Sequence, residues 1–271
     1  MPHIFHKKNV GIISLYHCQN IGNNLLKYSM YIILKKYGFE SSIISKKFRF
    51  TNLSFLKKYS NVRIIKSFSE IRKEDYNLLM VNSDQTWRYW GKDFYDIALL
   101  KFAENWNIPK FIYGASIGLN NWPFSKKDEK LAKYLLKNFT GISVRDINLI
   151  KLIKEHLGMK AQLVLDPTLL IEKKYYLNII KNYKSHFNIK NNYILTYIVN
   201  SRHTQMKNKM DQFISEASQK LNYSIYNIKL KEEDYIEKFL YGIKNSNLTM
   251  ILKYLKIYSH LIINETKNYN I

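Results

Sequence analysis

The stretch VGIISLYHCQNIGNNLLKYSMYIILKKYGF, residues 10–39, decides the fold class. Its first six residues are mostly apolar, as in a buried strand. From Asn23 onward, apolar side chains cover most of a helical circumference and leave a narrow polar strip that includes Lys27. Gly38 suits the left-handed residue that ends a helix. A strand that leads directly into a long helix predicts a parallel α/β sheet.

The alternation of apolar runs and helical patterns continues along the chain. Further predicted strands are Asn77–Val81, Phe111–Ala115, Gly141–Val144 and Gln162–Leu165, with helices after Ser125 and from Asp146 to His156. After Pro167 the pattern restarts, with a strand predicted at residues 193–199. We therefore predict two Rossmann-like domains, residues 1–175 and 190–271. The last segment, residues 245–271, does not read as a continuation of a sheet.

The chain is strongly basic, with a formal net charge of +22 at pH 7. Clustered lysines and arginines would favour nucleic acid, but here they are scattered singly and in pairs. A bias of the composition toward Lys, Asn, Ile and Tyr explains them better, so we expect no specific nucleic-acid partner. A basic surface also favours anionic lipid headgroups, which leaves peripheral contact with the inner membrane face as an alternative.

The numbers of cysteine and histidine residues bear on the cellular compartment and on metal binding. Cys18 is the single cysteine, which excludes an intramolecular disulfide framework and favours a reducing, cytoplasmic setting. No run is long enough for a signal peptide core or a membrane span. The 7 histidines show no metal-ligand spacing. We expect neither a metal nor a cofactor.

Polar motifs follow the predicted strands, where open α/β sheets bind their ligands. The first is Asn20–Asn23. Gly22 would permit a tight turn that presents backbone N–H groups to an anion. Asn20 would equally act as an ordinary helix cap. By itself the motif favours the cap.

The second motif is Ser83-Asp84-Gln85-Thr86-Trp87. A carboxylate, an amide and an indole at one strand end suit a hydroxylated ligand, since sugars need hydrogen bonds and an aromatic face. Asp84 is the best candidate for a general base. The alternative is that Ser83 or Asp84 caps the following turn.

Two further motifs contain Ser116 and Arg145. Gly114–Gly118 matches the Gly-x-Ser-x-Gly elbow of serine hydrolases in letters, but no helix is predicted directly after Ser116, which argues against a hydrolase. An arginine such as Arg145 can bind a carboxylate or a phosphate with two hydrogen bonds. A salt bridge to Asp146 or Asp166 explains it equally well.

Taken in order, these stretches resemble the polysaccharide pyruvyltransferase family. The matching segments are NIGN with its helix, VNSDQTWRYW, FIYGASIG, GISVRD and LVLDPTLLI. The resemblance implies two domains similar to GT-B glycosyltransferases and the transfer of pyruvyl from phosphoenolpyruvate to a sugar or lipid-linked glycan acceptor as a ketal. It places Asn23, Asp84, Gln85, Ser116 and Arg145 on the motif positions of the family, with Arg145 by the donor anion and Asp84 by the acceptor.

The C-terminal part departs from the family pattern. Where the family has a strand and an Asp/Asn-Ser-Phe/Tyr-His-Gly motif, this chain reads LTMILKYLKIYSHLIINETKNYNI. Only Ser259-His260 echoes the motif, and it makes His260 a candidate substrate-binding residue. We therefore expect an incomplete second domain and leave activity open. The alternatives are a nucleotide-sugar glycosyltransferase and a non-catalytic remnant that binds a glycan or a partner.

Overall fold

A computed structural model of the chain describes residues 8–15, 20–46, 53–88, 93–181, 193–199, 204–228, 235–245, 248–254 and 259–265. The chain divides into two compact units, Met1–Ile171 and Glu172–Ile271. Each unit is an α/β structure built on its own sheet. Among the described residues, no helix combines the length and apolar character needed to cross a bilayer.

The first unit is built on a parallel sheet of seven strands in the order β3-β2-β1-β4-β5-β6-β7. The strands are β1 (Asn9–Ile13), β2 (Glu40–Lys46), β3 (Val62–Ile65), β4 (Leu78–Val81), β5 (Lys110–Ala115), β6 (Gly141–Val144) and β7 (Gln162–Leu163). The strand order reverses between β1 and β4. Ligands of doubly wound folds bind outside the carboxyl ends of the strands at such a reversal.

Helices of the first unit follow the predicted pattern where capping signals are strong. They are α1 (Ile21–Lys36), α2 (Ser54–Tyr59), α3 (Phe94–Leu99), α4 (Lys126–Leu136) and α5 (Ile147–Leu157). Ser125 begins α4 with a capping box to Asp128. Gly158 ends α5 with a φ of +68°, a left-handed conformation that glycine adopts without strain.

The main core lies on one face of this sheet. Its strand residues include Ile13, Val81, Ile112 and Val144, each at most 2% exposed. Residues of α3, α4 and α5 cover them, including Ile97, Leu135 and Ile153. Full burial of such side chains stabilises the fold by about 1.5–3 kcal/mol each. The core therefore fixes the ends of β1, β4, β5 and β6 relative to one another.

Two expectations for this unit were wrong. Lys27 was assigned to an exposed polar strip of α1 but is 1% exposed, because α1 packs against β2, α2 and the turn at residues 167–169. Strands β2 and β3 were not predicted. The buried face of β2 contains Ser41 and Ser45 where a hydrophobic run would be expected, and Arg63 interrupts the short apolar run of β3.

The second unit contains a sheet of four strands in the order β11-β10-β8-β9. Its elements are α6 (Lys173–Ile180), β8 (Tyr193–Val199), α7 (Thr204–Leu221), β9 (Ser224–Asn227), α8 (Tyr235–Asn245), β10 (Leu248–Tyr254) and β11 (Ser259–Glu265). Strands β9 and β10 pair with β8 in parallel, and β11 pairs with β10 antiparallel. The expectation that residues 245–271 add nothing to a sheet was wrong, because β10 and β11 form two of its four strands.

We expect Asp75→Asn to destabilise the first unit by about 1 kcal/mol or less at neutral pH, as for partly exposed ion pairs. Arg63 donates a hydrogen bond of 2.6 Å to Asp75 and lowers the pKa of that carboxyl. A lowered pKa gives stability that is present at neutral pH and is lost as the pH falls through the folded-state pKa. The measurement is the melting temperature of both proteins from pH 7 downward.

The melting temperatures of wild type and Asp75→Asn should converge once Asp75 is protonated. Glu155→Gln is the control, because the 3.8 Å pair of Glu155 with Lys151 is largely exposed and should contribute little. A gap between wild type and Asp75→Asn that stays constant down to the lowest pH would contradict this assignment.

Candidate functional site

The candidate site lies where β1 and β4 end, at the reversal of strand order in the first unit. After β1 the chain leads to the first turn of α1, and after β4 it continues as Asn82-Ser83-Asp84-Gln85. The ends of β5 and β6 add Ser116 and Arg145. Parallel strands end at one edge of the sheet, so these segments are brought together by the topology.

The start of α1 is an ordinary helix cap. The Oδ1 atom of Asn20 accepts a hydrogen bond of 2.8 Å from the backbone N–H of Gly22, as N-cap residues do. Gly22 is already inside the helix, which begins at Ile21. The role of Asn20–Asn23 as a cap, favoured from sequence, is confirmed.

Asp84 is the centre of the site. Its Oδ2 atom accepts a hydrogen bond from the side-chain amide of Asn23, and its Oδ1 atom accepts one of 2.7 Å from the backbone N–H of Gln85. The φ of Asp84 is +156°, a conformation that residues other than glycine rarely adopt. Strained backbone of this kind concentrates at functional sites, where the surrounding structure enforces it.

Backbone hydrogen bonds hold the Asp84 segment against the end of β5. Asp84 pairs with Ala115 as an extension of the sheet. The carbonyl of Asp84 accepts from the N–H of Ser116 at 2.9 Å, and the carbonyl of Ser116 accepts from the N–H of Trp87 at 3.1 Å. The carboxylate of Asp84 is therefore fixed by α1, β4 and β5 together.

Arg145 lies between two carboxylates. Its Nη1 atom donates to Asp166 at 2.5 Å, and its Nη2 atom is 3.8 Å from Asp84 Oδ1. Asp166 also accepts hydrogen bonds from the backbone N–H and the hydroxyl of Thr168, so its predicted turn chemistry is confirmed. Within the described part of the chain, the Nη2 and Nε atoms of Arg145 donate no hydrogen bond. With 23% of its side chain exposed, Arg145 has donors left for a substrate oxygen.

Gln85 and Ser116 both lie against Gly118 in the loop after β5. The Oγ atom of Ser116 accepts a hydrogen bond of 3.2 Å from the N–H of Gly118. Gly118 packs so tightly on the amide group of Gln85 that an added Cβ would lie 2.6 Å from its carbon and nitrogen. The next helix, α4, begins only at Lys126, which excludes the nucleophile elbow of a serine hydrolase.

Gly118→Ala should impair function more than stability, with Gly158→Ala as the matched control. The φ values are +63° and +68°, and nothing lies within 4 Å of a Cβ at Gly158. Both alanines incur the left-handed penalty of about 1–2 kcal/mol, so the two melting temperatures should fall similarly. Only Gly118→Ala displaces the flexible end of Gln85. We expect ligand binding or turnover to fall in Gly118→Ala alone; equal effects in both variants would contradict a role for Gln85.

Two predicted residues have other placements. Trp87 was expected to offer an aromatic face to a ligand, but its side chain is 2% exposed and belongs to the main core. His260 lies on β11 in the second unit, opposite Lys253 on β10, and its side chain is outside the described residues. The roles of Asn23, Asp84, Gln85, Ser116, Arg145 and His260 in substrate binding stay predictions.

The site also contains residues that were not predicted. Ser14 and Asn82, at the ends of β1 and β4, are 4% and 0% exposed. The signal available in the sequence was the same as for Asp84, namely a polar residue directly after an apolar run. Asp166 was predicted only as a turn residue and a partner of Arg145, and it proves to be the second carboxylate of the cluster.

The fold and the position of the site define a two-unit α/β protein of the GT-B type. The chain is similar to a putative UDP-N-acetylglucosamine 2-epimerase from Listeria monocytogenes, with a TM-score of 0.55, 10% identity, and coverage of 90% of this chain and 74% of that one. It is also similar to the S. aureus MnaA structure with UDP, with a TM-score of 0.50, 10% identity, and coverage of 92% and 74%. At such low identity the likeness shows the fold alone.

Sequence comparison is more specific. The sequence model of the polysaccharide pyruvyl transferase family matches residues 20–257, which is most of the chain. The chain belongs to this family, as its motifs predicted. A comparison with proteins of curated function gives no match.

Proposed function

We propose that this protein transfers a pyruvyl group from phosphoenolpyruvate to hydroxyl groups of a sugar in a cell-surface glycan precursor. The observation that carries the proposal is the cluster of Asn23, Asp84, Arg145 and Asp166 at the strand reversal of a chain in this family. The reaction joins two sugar oxygens to C2 of the donor as a ketal, turns its methylene into a methyl group, and releases phosphate. One hydroxyl proton ends on the methyl group and the other on phosphate.

Asp84 is proposed as the base that accepts the proton of the attacking sugar hydroxyl. A base must lie within hydrogen-bond reach of that proton. Its side chain is 19% exposed, so a ligand at this edge of the sheet can reach it. Asn23 and the N–H of Gln85 hold the carboxylate in one orientation, which lowers the entropic cost of a productive geometry.

Arg145 is proposed to contact the carboxylate or phosphate of the donor. Its free N–H donors suit an oxyanion, and guanidinium groups bind such anions with paired hydrogen bonds. Asp166 orients the guanidinium through Nη1 and leaves Nη2 on the side of Asp84. In this arrangement one arginine positions the donor beside the base that activates the acceptor.

The test is turnover by the full chain with phosphoenolpyruvate and a panel of hexopyranosides and lipid-linked sugars. Phosphate release and a mass spectrum of the product would identify the ketal. Stabilisation against melting by a nucleotide sugar, without effect of phosphoenolpyruvate, would favour a glycosyltransferase. Binding of a glycan without any turnover would favour a non-catalytic protein. Either of these results would overturn the proposal.

Contact with the inner membrane face is proposed from the net charge of +22, since basic surfaces bind anionic headgroups. The test is co-sedimentation with vesicles of phosphatidylglycerol, with phosphatidylcholine vesicles as the control. Binding to the anionic vesicles that disappears in high salt would support the proposal, and equal binding to both would contradict it.

A further inference from the structure

We propose that Ser14 and Asn82 form a polar floor between the ends of β1 and β4 that binds a hydroxyl group of the sugar acceptor. The identity of the ligand rests on the proposed function. The two residues directly follow Ile13 and Val81, the last paired positions of these strands. They would be substrate-positioning residues in addition to the five residues of the first unit whose roles the resemblance to the family implies.

The backbone places these two residues side by side. Ile13 pairs with Val81 in the parallel ladder, and the N–H of Asn82 donates to the carbonyl of Ile13 at 2.8 Å. Because side chains alternate along a strand, Ser14 and Asn82 share the sheet face opposite Ile13 and Val81. The main core occupies the face of Ile13 and Val81, so the polar pair lies on the other side.

The polar atoms of this pair have no partner in the part of the chain that the structure describes. They are Oγ of Ser14 and both Oδ1 and Nδ2 of Asn82. An unpaired buried polar group is costly, and most buried polar groups in proteins are hydrogen-bonded. Two neighbouring residues with unpaired atoms at the strand reversal therefore indicate a place where a ligand supplies the missing hydrogen bonds.

The chemistry of the floor suits a hydroxyl group. A serine hydroxyl and a carboxamide both donate and accept, as a sugar hydroxyl does, and neither has a charge to attract an anion. The charged groups nearby are two carboxylates, Asp84 and Asp166, and one guanidinium, Arg145. Their net charge is negative, which also disfavours an anion on the floor. Asn82 and Asp84 are two residues apart in the segment that follows β4. A sugar held by one hydroxyl on the floor can present a neighbouring hydroxyl to Asp84.

Ser14→Ala tests the proposal, with Ser41→Ala as its matched control. Ser41 also has a buried, unpaired hydroxyl, 7% exposed, but it lies near the start of β2, at the opposite edge of the sheet. Asn82→Leu is the second site variant, since leucine keeps the number of side-chain heavy atoms. The probes are the methyl glycosides of glucose, galactose and mannose, with phosphoenolpyruvate as the donor probe, and the measurements are melting temperature and calorimetric affinity.

Both alanine variants should melt at or above the wild-type temperature without ligand, because each removes an unpaired polar atom. Ser14→Ala and Asn82→Leu should weaken the binding of the glycoside that wild type prefers by about tenfold, as for a lost hydrogen bond. Ser41→Ala should bind it normally, and all three should retain affinity for phosphoenolpyruvate.

Unchanged glycoside affinity in Ser14→Ala, a melting temperature below that of Ser41→Ala, or no glycoside binding by wild type would each overturn the floor. If Asn82→Leu does not fold, the comparison of the two serine variants still decides. The proposed function is tested independently of the floor. If Ser14→Ala binds the glycoside more weakly but wild type does not consume phosphoenolpyruvate, the floor is supported and pyruvyl transfer is refuted.

Discussion

Replacing Asp84 by asparagine should reduce pyruvyl transfer by about 10²–10⁴-fold, because a carboxamide cannot accept the proton of a sugar hydroxyl. The fold should be retained. Asparagine has nearly the same size and shape as aspartate, so it should adopt the same backbone conformation at this position. Its side-chain oxygen can still accept from Asn23 or from the N–H of Gln85. The measurement is the initial rate of phosphate release from phosphoenolpyruvate at saturating acceptor.

Asp75→Asn is the control for this variant. Asp75 is an arginine-paired aspartate of similar exposure, 20% against 19%, and it precedes β4 at the opposite edge of the sheet. Asp75→Asn should lose a little stability and no activity. Full activity in Asp84→Asn would place the base elsewhere, and an equal loss in both variants would indicate a general effect of weakened ion pairs.

Much of the first unit was predictable from local sequence. Strands β1, β4, β5 and β6 are mostly apolar runs buried between layers, and such runs can be recognised in the sequence. Their polar continuations were correctly expected at one edge, because all parallel strands of a sheet end at the same edge. Strand β2 was missed because two of its buried positions are the serines Ser41 and Ser45. Strand β10 was missed because it pairs with β8, 54 residues earlier in the chain, and such pairing leaves no local signature. Strand β11, which pairs with β10, was missed with it.

The contacts within the site were less predictable than its position. Asn23 meets Asp84 across 61 residues of chain, and which of several polar residues at a strand end face each other depends on the register of the sheet. The burial of Trp87 and Lys27 was also not predictable from local sequence. Both have polar atoms that suggest exposure, yet both are buried, because the packing of neighbouring elements decides burial.

Arg145→Lys should raise the KM for phosphoenolpyruvate by about tenfold or more and leave the KM for the acceptor unchanged. Lysine keeps the positive charge but loses the planar fork that binds an oxyanion with two hydrogen bonds. Arg145→Ala should lower kcat/KM by about 10²–10³-fold, as for the loss of a group that stabilises developing charge. Arg63→Lys is the control, because Arg63 pairs with Asp75 outside the site and should not affect either KM.

Asp166→Asn separates the two explanations that the sequence left open for Arg145. If Arg145 serves only to form a salt bridge with Asp166, removing that carboxylate should reproduce the whole defect of Arg145→Lys. If Arg145 binds the donor, Asp166→Asn should have a smaller effect, because the amide oxygen still accepts from Nη1, now 2.5 Å from Asp166, while the donors of Nη2 stay available. Because the two residues are in contact, their double variant should depart from additivity. A double variant no worse than Arg145→Lys alone would show that Asp166 acts on the donor through Arg145.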